Sequence, residues 1–250
     1  MTNLSIITVS RDSHDTLEHC IHSVAAQGVD LEHLLVDGGS GAETQKIIER
    51  HRDKFSIVIS EPDGGIYDAM NKGIQAAKGD VVGLLNADDF YPDTDVLGQV
   101  VKVFDDPEVE ACYGDLKYVK RNDISKTVRY WKSGDFKASK FYYGWMPPHP
   151  AFFVRRAVYE RYGLFNLELG SAADYEMMLR LLLKQGIRTA YIPRTLVHMR
   201  SGGVSNATTA NRLQANRMDR KAWEVNGLRP HPLTLWAKPI RKVGQWVVRK

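Results

Sequence analysis

Residues 60–89 read "SEPDGGIYDAMNKGIQAAKGDVVGLLNADD". The segment predicts a helix, "GIYDAMNKGIQAAKG", ended by Gly79, and then a buried strand, "DVVGLL". The strand runs straight into Asn86, Ala87, Asp88 and Asp89. Two adjacent carboxylates at the end of a buried strand repel one another, and both lose hydration. A cation or a set of hydrogen-bond donors has to receive them. Toward the N-terminus the same grammar repeats. "SIVIS" is a strand, "AETQKIIERHRDKF" a helix, and "HLLVDGGSG" a strand that ends in a carboxylate and glycines. "SHDTLEHCIHSVAAQG" is a helix with Leu17, Cys20, Ile21 and Val24 at helical spacing, Ser13 or Asp15 to cap it and Gly28 to stop it. "LSIITV" is the first strand. Strand and helix alternate over about 85 residues, which implies an α/β fold with a doubly wound, mostly parallel sheet.

Beyond Asp89 the alternation weakens. "TDVLGQVVKVFDD" reads as a helix, and "EACYGDLKYVKRNDISKTVRYWK" as a hairpin turning at "RND". "FKASKFYYGWMPPHP" is a loop rich in aromatics and proline, and "AFFVRRAVYERYG" a strand leading into a helix. "AADYEMMLRLLLKQG" is an amphipathic helix, "RTAYIP" a strand and "HMRSGGVSN" a glycine-rich loop. The expected organisation is one domain over 1–215, with halves at 1–90 and 91–215. A basic amphipathic tail at 216–250 follows.

The 250 residues are 43% apolar and 26% charged, the composition of an ordered globular chain. Cys20 and Cys112 form no CxxC pair, so a disulfide scaffold is excluded and a reducing, cytoplasmic compartment fits. Cys20 reads as a small core residue. "MTNLSIITVSRD" reads as a first strand and not a signal peptide, and no apolar run is long enough for a transmembrane helix. The net charge of +4 is uneven. Arg217 to Lys250 carry nine Lys and Arg against Asp219 and Glu224, so the body is mildly acidic. With basic charge confined to the tail and no reader motif, nucleic acid is not an expected partner.

In an open parallel sheet, ligands bind beyond the carboxyl ends of the strands. Three such ends carry acids here: Asp37, then Glu61 and Asp63, then Asp88 and Asp89. All-oxygen ligands of this kind fit a hard divalent cation, Mg²⁺ or Mn²⁺, that shares its shell with substrate phosphates. The competing reading is that Asp88 or Asp89 caps the next helix. No GxGxxG follows the first strand, so a dinucleotide site is disfavoured; the glycines of "DGGSG" suit a tight turn or a close approach to a ligand. Asp174 opens a helix, as a dipole-favoured cap or as a general base at the cleft mouth. His149 lies in a loop between prolines. Arg200, in "HMRSGGVS", is placed to neutralise phosphate charge, with His198 beside it. Tyr142, Tyr143 and Trp145 are exposed-looking aromatics that either stack on sugar rings or pack their loop down.

Taken in order, "LSIITVSRD", "LLVDGGSG", "SEPDGGIYDAMNKGIQAAKGDVVGLLNADD", "HPAFFVRRAVYERYGLFN", "ADYEMMLRL" and "HMRSGGVS" resemble the family 2 glycosyltransferases with the GT-A fold. The resemblance covers roughly residues 4 to 206, and "EPDGGIYDAMNKG" is similar to bacterial members that build exopolysaccharide, capsule or O-antigen. It implies a Rossmann-like nucleotide-binding half fused to an acceptor-binding half. It implies roles for Ser10, Arg11, Asp37, Asp63, Asn86, Asp89 and Arg200 around a nucleotide-sugar donor. Asn86-Ala87-Asp88 stands where the family has its D-x-D motif, with Asp88 as metal ligand and His198 as a further candidate. Asp174 falls on the catalytic base, which would deprotonate the acceptor hydroxyl for in-line attack with inversion. Trp145 and His149 are the acceptor-side candidates. Three positions depart from the pattern: Asn86 replaces an acid and lowers site charge, Met70 stands where many members have arginine, and Ala173 replaces a frequent glutamate.

The implied activity moves a sugar to a glycan or polyprenyl-linked saccharide in surface polysaccharide biosynthesis. The alternatives are a nucleotidyltransferase and a non-catalytic nucleotide- or glycan-binding module. In the tail, Ile240, Val243, Trp246 and Val247 fall near one helical face among basic residues, a pattern suited to an anionic membrane surface on the inner face of the cytoplasmic membrane. A helix docked on its own domain or a dimer contact would read the same way.

Overall fold

The computed structural model describes residues 2–202, 209–231 and 234, with backbone alone over 209–216. Strand β1, Leu4–Ser10, is buried along its whole length. It lies between β2, Leu31–Asp37, and β4, Val81–Asn86, parallel to both, and β3, Ile57–Ser60, adds to the far side of β2. Continuous apolar strands of this kind require cover on both faces. Helices α1, Leu17–Ala25, and α2, Ala42–Arg50, supply one cover, where Leu17, Ile21 and Ile48 pack with Leu35 and Phe55. Helix α3, Ile66–Ala76, supplies the other, where Met70 and Ile74 pack with Ile7, Val9, Leu34 and Val36. The register sets Ser10 beside Asp37 and Val9 beside Asn86, so the polar ends of three strands meet on one rim.

The second half extends the same sheet. Strand β8, Phe152–Arg155, runs antiparallel between β4 and β6, Ala111–Lys120. Strand β7, Asp123–Trp131, pairs with β6 as the expected hairpin, and β9, Thr189–Arg200, lies parallel to β6. A two-residue strand, β5, Asp89–Phe90, closes the far edge against β9. The order is β3-β2-β1-β4-β8-β6-β9-β5 with β7 off β6, parallel in its first four strands and mixed beyond. Helices α4, Val96–Val103, and α5, Arg156–Tyr162, flank it. Helix α6, Ala173–Met178, passes into a π-helical turn over Leu179–Lys184, and α7 spans Thr209–Val225.

Three expectations change. The strand expected to stop at Pro193 runs on to Arg200, so His198 and Arg200 are strand residues and not loop residues. Asp89 does not cap a helix; it pairs with Met199 inside the sheet. The boundary expected after residue 215 falls inside α7, whose Ala222 and Trp223 are buried, as is Asn226 just beyond its end. Trp223 Nε1 donates to Tyr175 Oη at 3.0 Å and the ring packs on Tyr142, which docks α7 against α6. Among the described residues no helix is long and apolar enough to cross a membrane. The amphipathic stretch over 235–250 lies outside the described residues.

Candidate active site

The first three strands end in an ordered acid cluster. Asp37 is fully buried, and its carboxylate accepts from Ser40 N at 3.0 Å, the Ser40 hydroxyl, Gln45 Nε2 at 2.8 Å and the Ser60 hydroxyl at 2.9 Å. Four donors make a buried carboxylate tolerable. Asp63 sits against β2 because residue 38 is glycine: a Cβ there would stand 2.4 Å from Asp63 Oδ2. Asp63 Oδ1 accepts from Gly65 N at 2.9 Å and so sets the entry into α3. Arg11 is exposed beside this cluster, while Ser10 is buried with an unpartnered hydroxyl.

The fourth strand ends in the less satisfied group. Asn86 donates Nδ2 to Asp89 Oδ2 at 3.1 Å, which leaves Asn86 Oδ1 and Asp89 Oδ1 buried without partners. Burial first, and then the neighbouring Asp88 charge, push the Asp89 carboxyl well above the usual range. Burial raises Asp88 as well, against the pull of Arg121 and Arg200. Arg200 is held by three contacts: Nη1 donates to the Asp88 carbonyl at 2.6 Å, Nη2 meets His19 Nδ1 at 2.6 Å, and the guanidinium lies 4.8 Å from the Phe90 ring centre. His198 packs edge-on against the same ring at 5.3 Å. Its charged neighbours are Lys117 and Asp93, whereas those of Asp88 are Arg121, Arg200 and Asp15, so the structure does not bring His198 to Asp88. Asn86, Asp88 and Asp89 remain an oxygen-only set with orphaned buried oxygens, the chemistry that a hard divalent cation takes.

The other wall comes from α3 and α6. His149 Nδ1 lies 3.6 Å from Asp174 Oδ2. The Tyr67 phenol lies close enough to Asp174 to feel its charge, and Asp174 Oδ1 accepts from Tyr175 N at 2.7 Å. Burial and the Asp174 charge push that phenol up, so it stays protonated beside the carboxylate. Asn71, one turn further along α3, grips Phe165 from both sides: Nδ2 donates to Phe165 O at 3.0 Å, and Phe165 N donates to Oδ1 at 2.9 Å. Sequence reasoning missed Tyr67 and this role of Asn71, though both lie in the "GGIYDAMNKG" motif. The phenol of Tyr118, on β6, is raised by burial and by both the Asp89 and Asp174 charges.

Trp145 is corrected. It is 3% exposed, donates Nε1 to Ser133 O at 2.8 Å and packs with Tyr113, Phe136 and Phe141, so it braces its loop and offers no face to a sugar. The open aromatic there is Tyr143, 66% exposed. Met70 and Cys20 are both core residues.

The family model for glycosyl transferase family 2 matches residues 5–163. The chain belongs to that family. A Mycobacterium tuberculosis glycosyltransferase, described as uncharacterized, is 33% identical over 186 residues, 72% of this chain and 69% of the relative. Among solved structures, S. aureus TarS residues 1–349 in complex with UDP-GlcNAc matches with TM-score 0.69 at 18% identity, over 94% of this chain and 69% of that one. A Pyrobaculum calidifontis mannosyltransferase in complex with GDP-Man and Mn²⁺ matches with TM-score 0.64 at 20% identity, over 94% and 72%. These likenesses fix the fold as GT-A. In this family 2 glycosyltransferase the family match stops at Gly163, so Asp174 and its α6 setting are supplied by the chain beyond it.

Proposed function

We propose that this glycosyltransferase moves a sugar from a nucleotide-diphosphate sugar to an acceptor hydroxyl with inversion at the anomeric carbon. The observation that carries the reading is the Asn86, Asp88 and Asp89 group at the end of β4, an oxygen-only set in which two buried oxygens lack partners. Ser10, Arg11, Asp37 and Asp63 border the nucleotide side; Asp37 offers only the lone pairs that its four donors leave over. Asp88, with Asn86 and Asp89, would hold Mn²⁺ or Mg²⁺, which supplies positive charge to the departing diphosphate. Two similar folds were solved with nucleotide sugars, one of them with Mn²⁺, which supports both donor class and metal. Arg200 fixes the Asp88 carbonyl and adds positive charge behind the rim.

Asp174 takes the acceptor proton. Tyr67 and His149 orient its carboxylate, and His149 Nε2 stands free to meet an acceptor hydroxyl. One base and one in-line displacement invert the centre, while a nucleotidyltransferase or a mere binding module leaves Asp174 without work. The proposed acceptor is a glycan or polyprenyl-linked saccharide of a surface polysaccharide, met at the cytoplasmic face of the membrane through the basic tail.

The deciding experiment titrates UDP, GDP and dTDP calorimetrically with and without Mn²⁺, then assays transfer. Metal-dependent binding of one nucleotide, lost in Asp88→Asn, is expected. Asp174→Asn should keep that binding and lose transfer by about 10²-fold or more. Transfer that survives Asp174→Asn overturns the base, and binding indifferent to metal overturns the cation. Binding of the full chain to anionic vesicles, weakened by neutralising Arg241 and Lys242, tests the membrane contact; no binding overturns it.

A further inference from the structure

Helices α1 and α2 carry a second group of donor side chains, distinct from the Asn86–Asp89 rim. Glu18 and His22 stand one turn apart on α1, at i and i+4, and so leave the helix from one face. His51 closes the C-terminal end of α2. One donor atom from each of the three residues lies within 4.8 Å of the other two, and no other trio of His, Cys, Asp or Glu among the described residues does so. His51 Nε2 already meets Glu18 Oε1 at 2.8 Å, and the His22 and His51 rings stand edge to face at 5.1 Å.

We propose that Glu18, His22 and His51 form a binding site for a zinc-class divalent transition metal ion, with water completing the shell. Two imidazoles and one carboxylate suit a borderline ion such as Zn²⁺, whereas the all-oxygen rim suits Mg²⁺ or Mn²⁺, so the two sites differ in the metal they select. Ligand atoms around a tetrahedral zinc sit about 3.3 Å apart, which small side-chain rotations achieve from the observed spacing. His51 is buried on one side and so is pre-oriented, while His22 is exposed and leaves an entry path. The His51 contact, and then Arg50, hold the Glu18 carboxyl below the usual range, so it is ionised and ready to ligate. Arg50 Nη1 reaches Glu18 at 3.3 Å, an exposed pair that an ion displaces readily. A bound ion would tie α1 to α2. The neighbouring α1 residue His19 contacts Arg200, so the tie ends at the catalytic rim.

The test is calorimetric titration of the full chain with Zn²⁺, and Co²⁺ absorption as an optical readout of tetrahedral ligation. The wild type should show one saturable site, a tetrahedral Co²⁺ spectrum and a zinc-dependent rise in thermal midpoint. Asp88→Asn should retain all three. His22→Gln, an exposed change that leaves the fold intact by circular dichroism, should weaken Zn²⁺ binding at least about tenfold and abolish the Co²⁺ spectrum, and Glu18→Gln should do the same. The proposal is overturned by no saturable binding, by binding unchanged in His22→Gln, or by binding lost in Asp88→Asn. None of these outcomes depends on whether the chain transfers sugar.

Discussion

His149 and Asp174 face each other at 3.6 Å, and the far ring nitrogen of His149, Nε2, is buried without a partner. Burial pushes the imidazole below its ordinary value, although the Asp174 charge pulls it the other way. The ring is therefore neutral at neutral pH, with one nitrogen turned to the base and the other available to a ligand. His149→Ala should lower acceptor kcat/KM by about 10–100-fold, the value of one buried polar contact, and leave nucleotide affinity unchanged. A parallel loss of nucleotide affinity would place His149 on the donor side instead.

Tyr67 acts through Asp174, so it is a positioning residue. Tyr67→Phe keeps the packing of the ring on Phe165, 5.3 Å between centroids, and removes only the phenol. Steady-state assays should show kcat reduced by about tenfold, with donor KM unaltered. Tyr67→Ala, which also removes the packing, should cost stability as well. Equal activity in wild type and Tyr67→Phe would mean that the phenol does not orient the base.

Asp89 combines full burial with an unpartnered oxygen and a neighbouring carboxylate. Its ionised form is destabilising in the folded chain. Asp89→Asn should therefore raise stability in metal-free buffer and reduce metal-dependent nucleotide binding. Denaturant melts and the same calorimetry read both sides. A variant less stable than the parent would show that the carboxylate is better satisfied than its contacts indicate.

Acid should destabilise the protein through its buried histidines. Burial pushes His33 to about 3 and His198 to about 4, both below the unfolded value. A depressed folded value means that the unfolded chain binds more protons between the two. The contribution is thus complete above about pH 6.5 and lost as pH falls toward about 4 for His198 and about 3 for His33. Asp88 and Asp89 are raised, so they work in the opposite direction over this window. Urea midpoints at about pH 8, 6 and 4.5 should fall in that order, more steeply in Asp89→Asn than in the wild type. Flat midpoints in Asp89→Asn would contradict the burial of these rings.

The parallel half was legible because its signals are local. Apolar strands such as "LSIITV" and helical spacing in α1 need no partner to be recognised, and the "RND" turn is written in its own residues. His198 and Arg200 were misread as loop because the end of β9 is polar. It is a strand only through pairing with β6 and β5, and nothing in "HMR" states that. Two-residue β5 leaves no periodic trace at all. Trp145 was ambiguous for a related reason: its loop looks polar and proline-rich, and only the carbonyl of Ser133, reached through tertiary packing, satisfies its N–H. Asp174 was placed by its position in a helix, but the Tyr67 phenol that serves it comes from 107 residues earlier in the sequence.

The double clasp of Asn71 on Phe165 gives α3 a mechanical meaning. The helix begins at the Asp63–Gly65 turn on the nucleotide side, carries Tyr67 to the base, and grips the segment that leads to it. Through these contacts the first turn of α3 is tied directly to the segment that leads to Asp174. Such a lever orders events in time: occupancy at one end sets the geometry at the other. Turnover should accordingly follow a compulsory sequence, with the donor seated before the acceptor is deprotonated, and hydrolysis of an unaccompanied donor kept rare.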